Sequence, residues 1–151
     1  MDVRELRNCF GRFATGVTVV TWKTDDHEYN GITVNSFTSV SLDPALVLVS
    51  IDKKAKACQA LENRPFVVNI LASNQEPIAW QFAGRPQEKL TLEWEETEVG
   101  PKIAGAIATI ECIPWNAYEG GDHILFVGEI KAFSYNDKDA LMFFKGKFIN
   151  N

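Results

Sequence analysis

With 151 residues, 46% of them apolar and 23% charged, the chain has the size and composition of one hydrophobic core. No apolar run approaches the roughly 20 residues of a membrane-spanning helix, so a membrane span is not expected. Fifteen Lys and Arg against twenty Asp and Glu give a net charge of -5, whereas a nucleic-acid surface needs clustered positive charge to displace phosphate counterions, so DNA and RNA are not expected partners.

Residues 2–13 carry Val3, Leu6, Phe10 and Phe13 at helical spacing with charges between them. This predicts a short amphipathic helix lying on the body of the protein and stopped at Gly16. The charges at Asp2, Arg4, Glu5 and Arg7 interrupt the apolar region that a secretory signal needs. Val17 to Trp22 is a β-branched and aromatic run, read as a buried strand, and Asp25 and Asp26 supply turn chemistry before a return strand from Tyr29 to Asn35. That strand leads into a polar stretch, residues 35–41, closed by the turn pair Asp43 and Pro44 and followed by an apolar strand from Ala45 to Ile51. Residues 54–62 predict a short helix, Phe66 to Leu71 a strand, and Glu76 to Ala83 another short helix. Gly84 to Gly105 holds three glycines and two prolines in about twenty residues, too few for a second domain, and reads as a long functional or interface loop. Three strand-like runs follow, Ala106 to Tyr118, Ile124 to Tyr135 and Leu141 to Ile149, separated by residues 119–122 and 136–139. The whole predicts one domain over 1–151, mainly β with short helices, built on a six-stranded antiparallel barrel that is closed or nearly so.

Several chemistries lack their residues. Cys9, Cys58 and Cys112 are odd in number and widely spaced, which fits reduced intracellular thiols and a cytoplasmic protein. The two histidines, His27 and His123, have no partners at metal-ligand spacing, so no metal site is expected. Gly11 to Gly16 is followed by Val17 and Thr18 where a phosphate loop needs Lys and then Ser or Thr, and neither Gly-x-Gly-x-x-Gly nor Gly-x-Ser-x-Gly occurs.

Three constellations remain open. Alternating hydroxyls and amides over residues 33–41 either cap a turn or present a row of donors and acceptors to the polar edge of a planar heterocycle. Lys53, Lys54 and Lys56, between a strand end and a helix start, form either an exposed basic turn or a phosphate site. Gly120, Gly121, Asp122 and His123 make either a two-glycine hairpin or a hairpin that carries a histidine over a flat ligand.

Five stretches taken in order carry a family resemblance: Phe13 to Thr21 (Phe-Ala-Thr-Gly-Val-Thr-Val-Val-Thr), Thr33 to Pro44 (Thr-Val-Asn-Ser-Phe-Thr-Ser-Val-Ser-Leu-Asp-Pro), Val68 to Leu71, Phe82 to Gly84, and Gly121 to His123. Together they resemble the short-chain flavin reductases that serve two-component monooxygenases, over nearly the whole chain from about Phe10 to Phe148. The resemblance implies an FMN-binding split barrel, a homodimer with flavin sites near the subunit interface, and oxidation of NADH or NADPH to reduce FMN or FAD for a partner flavin-dependent monooxygenase. Matched by position, Thr33, Asn35, Ser36, Ser39, Val40 and Ser41 line the isoalloxazine and ribityl chain. Ser50, Ala55 and Lys56 lie near the flavin phosphate, Phe82, Ala83 and Gly84 form a second wall, and His123 lies near the nicotinamide with Asp122 orienting it. Residues 52–58 lack the Ser or Thr that many such reductases place there, which leaves the choice of FMN or FAD open. A flavin-binding electron carrier or storage protein without nicotinamide oxidation is the alternative.

Overall fold

A computed structural model describes residues 1–150; Asn151, the last residue of the expected domain, lies outside the described residues. In chain order the elements are α1 (Val3–Phe10), β1 (Thr15–Gly16), β2 (Thr18–Lys23), β3 (Tyr29–Val34), β4 (Thr38–Leu42), β5 (Ala45–Asp52), α2 (Lys56–Ala60), β6 (Phe66–Ile70), a 3-10 turn (Ser73–Gln75) that runs into α3 (Glu76–Gln81), β7 (Trp94–Glu96), β8 (Pro101–Ile103), β9 (Ala108–Gly120), β10 (His123–Tyr135), β11 (Met142–Phe144) and β12 (Lys147–Ile149).

Seven strands form the main antiparallel sheet, in the order β3-β2-β6-β9-β10-β5-β4. Its two outermost strands are consecutive in the chain and are separated only by Asn35, Ser36 and Phe37. Three residues span at most about 10 Å, so the sheet has to curl until β3 approaches β5. Ser36 bridges the remaining gap: its hydroxyl donates to the Ser50 carbonyl and accepts from the Ser50 N–H, both at 2.9 Å. The expected six-stranded barrel, closed or nearly so, is therefore corrected in its strand number and is not fully closed. The sheet has seven strands, and no backbone ladder joins β3 to β4 or β5 among the described residues. The additional strand is β4, whose Thr38-Ser39-Val40-Ser41-Leu42 reads as a polar segment because it is an exposed edge strand, interrupted by a bulge between Ser39 and Ser41.

The curl encloses Val20, Trp22, Val47, Val49, Ile51, Phe66, Val68, Cys112 and Phe126, and α2 adds Ala57 and Leu61 to that core. On the opposite side of β2, Val17 and Val19 pack with Leu71, Ile78, Ala79, Ile103 and Leu141. Alternate residues of β2 thus serve two cores, and its run of buried side chains is continuous for that reason. The buried Asn69 fastens these layers together. Its amide donates to the Val19 carbonyl and the Thr21 hydroxyl, both at 2.9 Å, and its oxygen accepts the Ile103 N–H at 2.8 Å. Every polar atom of a buried amide is thereby satisfied, as burial requires. Burial pushes the Cys112 thiol up to about 12, so it stays neutral and packs as a small hydrophobe.

Three other expectations change. The first helix ends at Phe10 with Gly11 as its C-cap, and none of its residues is buried, so Val3, Leu6 and Phe10 of its apolar stripe are exposed. The segment 84–105 contains the hairpin β7–β8. Residues 141–149 form a hairpin as well, turned at Lys145 and Gly146, whose φ values of 52° and 76° supply the two positive angles of a type I′ turn.

Gly128 sits where β10 crosses the core. A Cβ there would lie 2.7 Å from Phe66 Cζ and 2.8 Å from Cys112 Cβ. Gly128→Ala is expected to lose about 1–3 kcal/mol of stability through overpacking, read as a lower urea midpoint at unchanged m-value.

Candidate functional site

The bend between β3 and β4 is held from both sides. Toward α3, the Thr33 hydroxyl donates to the Ala79 carbonyl at 2.7 Å and the Thr33 N–H donates to the Phe82 carbonyl at 3.0 Å. Gly31 permits this approach, because a Cβ there would meet the Phe82 ring at 3.1 Å. The Phe82 ring packs edge-on against Trp94, 6.0 Å between centroids, which leaves Ala83 and Gly84 as the exposed part of that wall. Gly84 has φ of 86°, in the left-handed region that glycine adopts without strain. Toward β5, Ser36 holds Ser50 as above, and Asn35 is exposed between the two anchors.

Asn35 lines two cavities. One, of about 300 Å³, is shared with Phe13, Thr15, Gly16 and Phe37; the other, of about 150 Å³, is shared with Val17, Thr33, Phe143 and Phe148. In the first, the Thr15 hydroxyl is buried without a hydrogen-bond partner among the described residues. An orphaned buried hydroxyl costs stability unless something supplies its bond, so this cavity suits an occupant with a polar edge.

At the other end of β5 the chain enters the basic turn. Asp52 pairs with His123 and Ser50 with Leu125 in the β5–β10 ladder, so Ser50 and His123 share the face opposite the buried Val49 and Ile51. The β9–β10 hairpin turns at Gly121, with φ of 68°, and Asp122, the sign pattern of a type II′ turn with glycine first. Two contacts pin this hairpin to the basic turn: the Lys53 N–H donates to the Asp122 carbonyl at 2.9 Å, and the Lys53 ammonium pairs with the Glu119 carboxylate at 2.5 Å. Asp122 Oδ1 lies 2.8 Å from His123 Nδ1, and this hydrogen bond, with the charge of the imidazole, holds the Asp122 carboxyl below its ordinary value. Helix α2 is five residues long and begins at an Ala55 N-cap with no side-chain cap. The N–H groups of Lys53, Lys54 and Ala55 already donate to the Asp122 carbonyl, the Asp52 carboxylate and the Asp52 carbonyl, so any anion at the turn would rely on the lysine ammonium groups.

The fold thus gathers Thr33, Asn35, Ser36, Ser50, Ala83 and Gly84 around the seam, and brings Ala55, Lys56, Asp122 and His123 to the adjoining end of β5. Ser39, Val40 and Ser41 run on along β4 toward Leu46, away from the basic turn. Thr15, Phe143 and Phe148 are cavity-lining residues outside the expected set. Thr15 lay within the Phe13 to Thr21 stretch and carried a signal, whereas the two phenylalanines reach the seam only through the β11–β12 hairpin.

Residues 10–150 match the flavin reductase like domain family, and the chain belongs to that family. It is 44% identical over 156 residues to an NADH-dependent FAD reductase of Streptomyces globisporus, covering 97% of this chain and 85% of that protein. It is 38% identical over 149 residues to the reductase component of a flavin-dependent trigonelline monooxygenase of Acinetobacter baylyi, of which it spans 48%. Among solved structures, flavin reductase PheA2 in its native state superposes with a TM-score of 0.95 at 41% identity, covering 100% of this chain and 99% of the other.

Ser36→Ala removes both bonds to Ser50 and leaves a half-buried N–H without its acceptor. The expected cost is about 1–2 kcal/mol, with faster hydrogen exchange at the Ser50 amide than at the Val49 amide.

Proposed function

We propose that the protein is an NAD(P)H:flavin oxidoreductase that reduces FMN or FAD and supplies the reduced flavin to a partner monooxygenase. The observation that carries this reading is the family match over residues 10–150, supported by the gathering of Thr33, Asn35, Ser36 and Ser50 at one seam. The partner follows from the likeness to a monooxygenase reductase component. The fold is read as an FMN-binding split barrel and residues 1–151 as one flavin reductase unit. A cytoplasmic location fits the three unpaired thiols and the use of a nicotinamide reductant.

The seam residues fit a flavin. Thr33 on β3, Asn35 and Ser36 in the link, and Ser39, Val40 and Ser41 on the edge strand β4 follow one another along the seam, a row of polar groups suited to the ring edge and ribityl hydroxyls. Ser50, Ala55 and Lys56 flank the basic turn, where the phosphate is taken chiefly by lysine charge. Ala83 and Gly84, backed by Phe82, close the other side. The hydride chemistry is supplied by the flavin and nicotinamide when bound. The protein orients and excludes: Asp122 fixes the His123 ring through Nδ1 and leaves Nε2 to position the nicotinamide.

The assembly is read as a homodimer. Phe13, Phe133 and Tyr135 are 78%, 68% and 76% exposed, and Val3, Phe10 and Leu42 are also uncovered, an apolar surface that suits a second copy of the chain. Because Phe13 and Thr15 line a cavity beside Asn35, that second copy would adjoin the site.

Anaerobic stopped-flow mixing of protein, FMN or FAD, and NADH or NADPH is expected to bleach the flavin band rapidly with at least one pairing. A bound flavin that never bleaches would instead establish the electron-carrier reading. His123→Ala is expected to slow NADH oxidation by up to about a hundredfold with flavin still bound; unchanged turnover would remove the role given to His123. Sedimentation should give a dimer, with Phe133→Asp shifting it toward monomer; a wild-type monomer at micromolar concentration would exclude the dimer.

A further inference from the structure

Lys53 is placed between two commitments. Its backbone N–H is fixed to the Asp122 carbonyl, so its Cα cannot leave the junction of the basic turn and the His123 hairpin. Its side chain reaches across that junction to Glu119, the residue that pairs with Ile124 in the β9–β10 ladder. Lys54 takes a different path, its N–H bonded to the Asp52 carboxylate. Among the described residues, Lys53 is the lysine of the turn whose ammonium forms an ion pair, and its partner lies on another strand. The pair is solvent-accessible, with 40% of the Lys53 side chain and 77% of the Glu119 side chain exposed. Exposed pairs of this kind contribute little net stability and are weak enough to be exchanged for a better anion.

We infer that Glu119 sets how tightly the protein holds the phosphate of its flavin, by competing with that phosphate for Lys53. The inference rests on the placement of the flavin phosphate at the basic turn proposed above. A dianionic phosphate arriving there draws the Lys53 ammonium away from Glu119, and the Glu119 carboxylate, left unpaired in water, repels it. The exchange makes part of the phosphate's binding energy unavailable. The result is a flavin held loosely enough to leave once reduced, which a reductase that hands its product to another protein requires. Glu119 also belongs to the strand that turns into His123, so the same exchange loosens one of the two contacts pinning the nicotinamide-side hairpin to the phosphate-side turn.

The test compares two flavins that differ in the phosphate alone. Dissociation constants for FMN and riboflavin are measured by flavin fluorescence for the wild type, Glu119→Gln and Lys53→Met at low ionic strength. Glu119→Gln is expected to tighten FMN roughly two- to fivefold, the range of an exposed ion pair, and to leave riboflavin unchanged, so that the FMN-to-riboflavin ratio rises. Lys53→Met is expected to lower that ratio, and the double variant to behave like Lys53→Met. If Glu119→Gln weakens both flavins equally, Glu119 is a brace and the inference is overturned. If Lys53→Met leaves the ratio unchanged while both flavins bind, the phosphate lies elsewhere and the inference falls with the reductase reading intact. A wild type that binds neither flavin would remove both.

Discussion

Three residues, Asn35, Ser36 and Phe37, join the first and last strands of the main sheet, and the shape of the molecule depends on how short that link is. A seven-stranded sheet with a longer link could lie open, with two unpaired edges and one face bare. Here the edges are forced together, and the apolar face turns inward to become a core capped by α2. No ladder forms across the seam. The closure is made by one serine hydroxyl holding one backbone peptide, which leaves the seam itself polar and open. A barrel sealed by backbone hydrogen bonds would present no such row of unpaired groups. The feature that closes the fold is therefore also the one that leaves a polar edge open at the candidate site.

The second core explains why the seam is stiff on its other side. Val17 and Val19 lie under α3 and the β7–β8 hairpin, and Asn69 locks β8 to β2 and β6 through bonds that satisfy every one of its polar atoms. Helix α3 in turn holds Thr33 through two carbonyls. A residue that faces a ligand is useful only if its rotamer and backbone are settled beforehand, and Thr33 and Ser36 are both anchored in this way. Asp122 and His123 sit on a tight hairpin at the end of two thirteen-residue strands, so their placement is governed by the ladder register and by Lys53. Charge then has a local meaning in a chain that is acidic overall: the basic turn is set between Glu119, Asp122 and Asp52, whose bonds to it tie the two halves of the site together.

Much of this was legible in the residues. Val17 to Trp22, Ala45 to Ile51 and Phe66 to Leu71 are strands because β-branched side chains suit a pleated, buried surface, and each lies where its composition placed it. The hairpin before His123 followed from its paired glycines, although the turn falls at Gly121 and Asp122 rather than at the two glycines. What misled was polarity at an edge. Residues 38–42 are a strand although their hydroxyls left a turn cap and an extended polar row both open, because an edge strand faces water on one side and needs no apolar alternation. The hairpin in residues 141–149 was concealed for a related reason, since Lys145 carries a positive φ that Asn or Gly more commonly signals.

The sequence by itself determined the class of the fold, its antiparallel strands, and the polar and charged residues that are candidates for a site, because those depend on side-chain pattern and turn chemistry within a few residues. Tertiary structure alone decided the number of strands in the sheet, the meeting of its edges at Ser36 and Ser50, and the cavities that Thr15, Phe143 and Phe148 share with Asn35. It alone also set Glu119 against Lys53, 66 positions apart in the chain. Such pairings are set by ladder register and sheet curvature, which are properties of how distant strands pack and leave no mark in the local sequence.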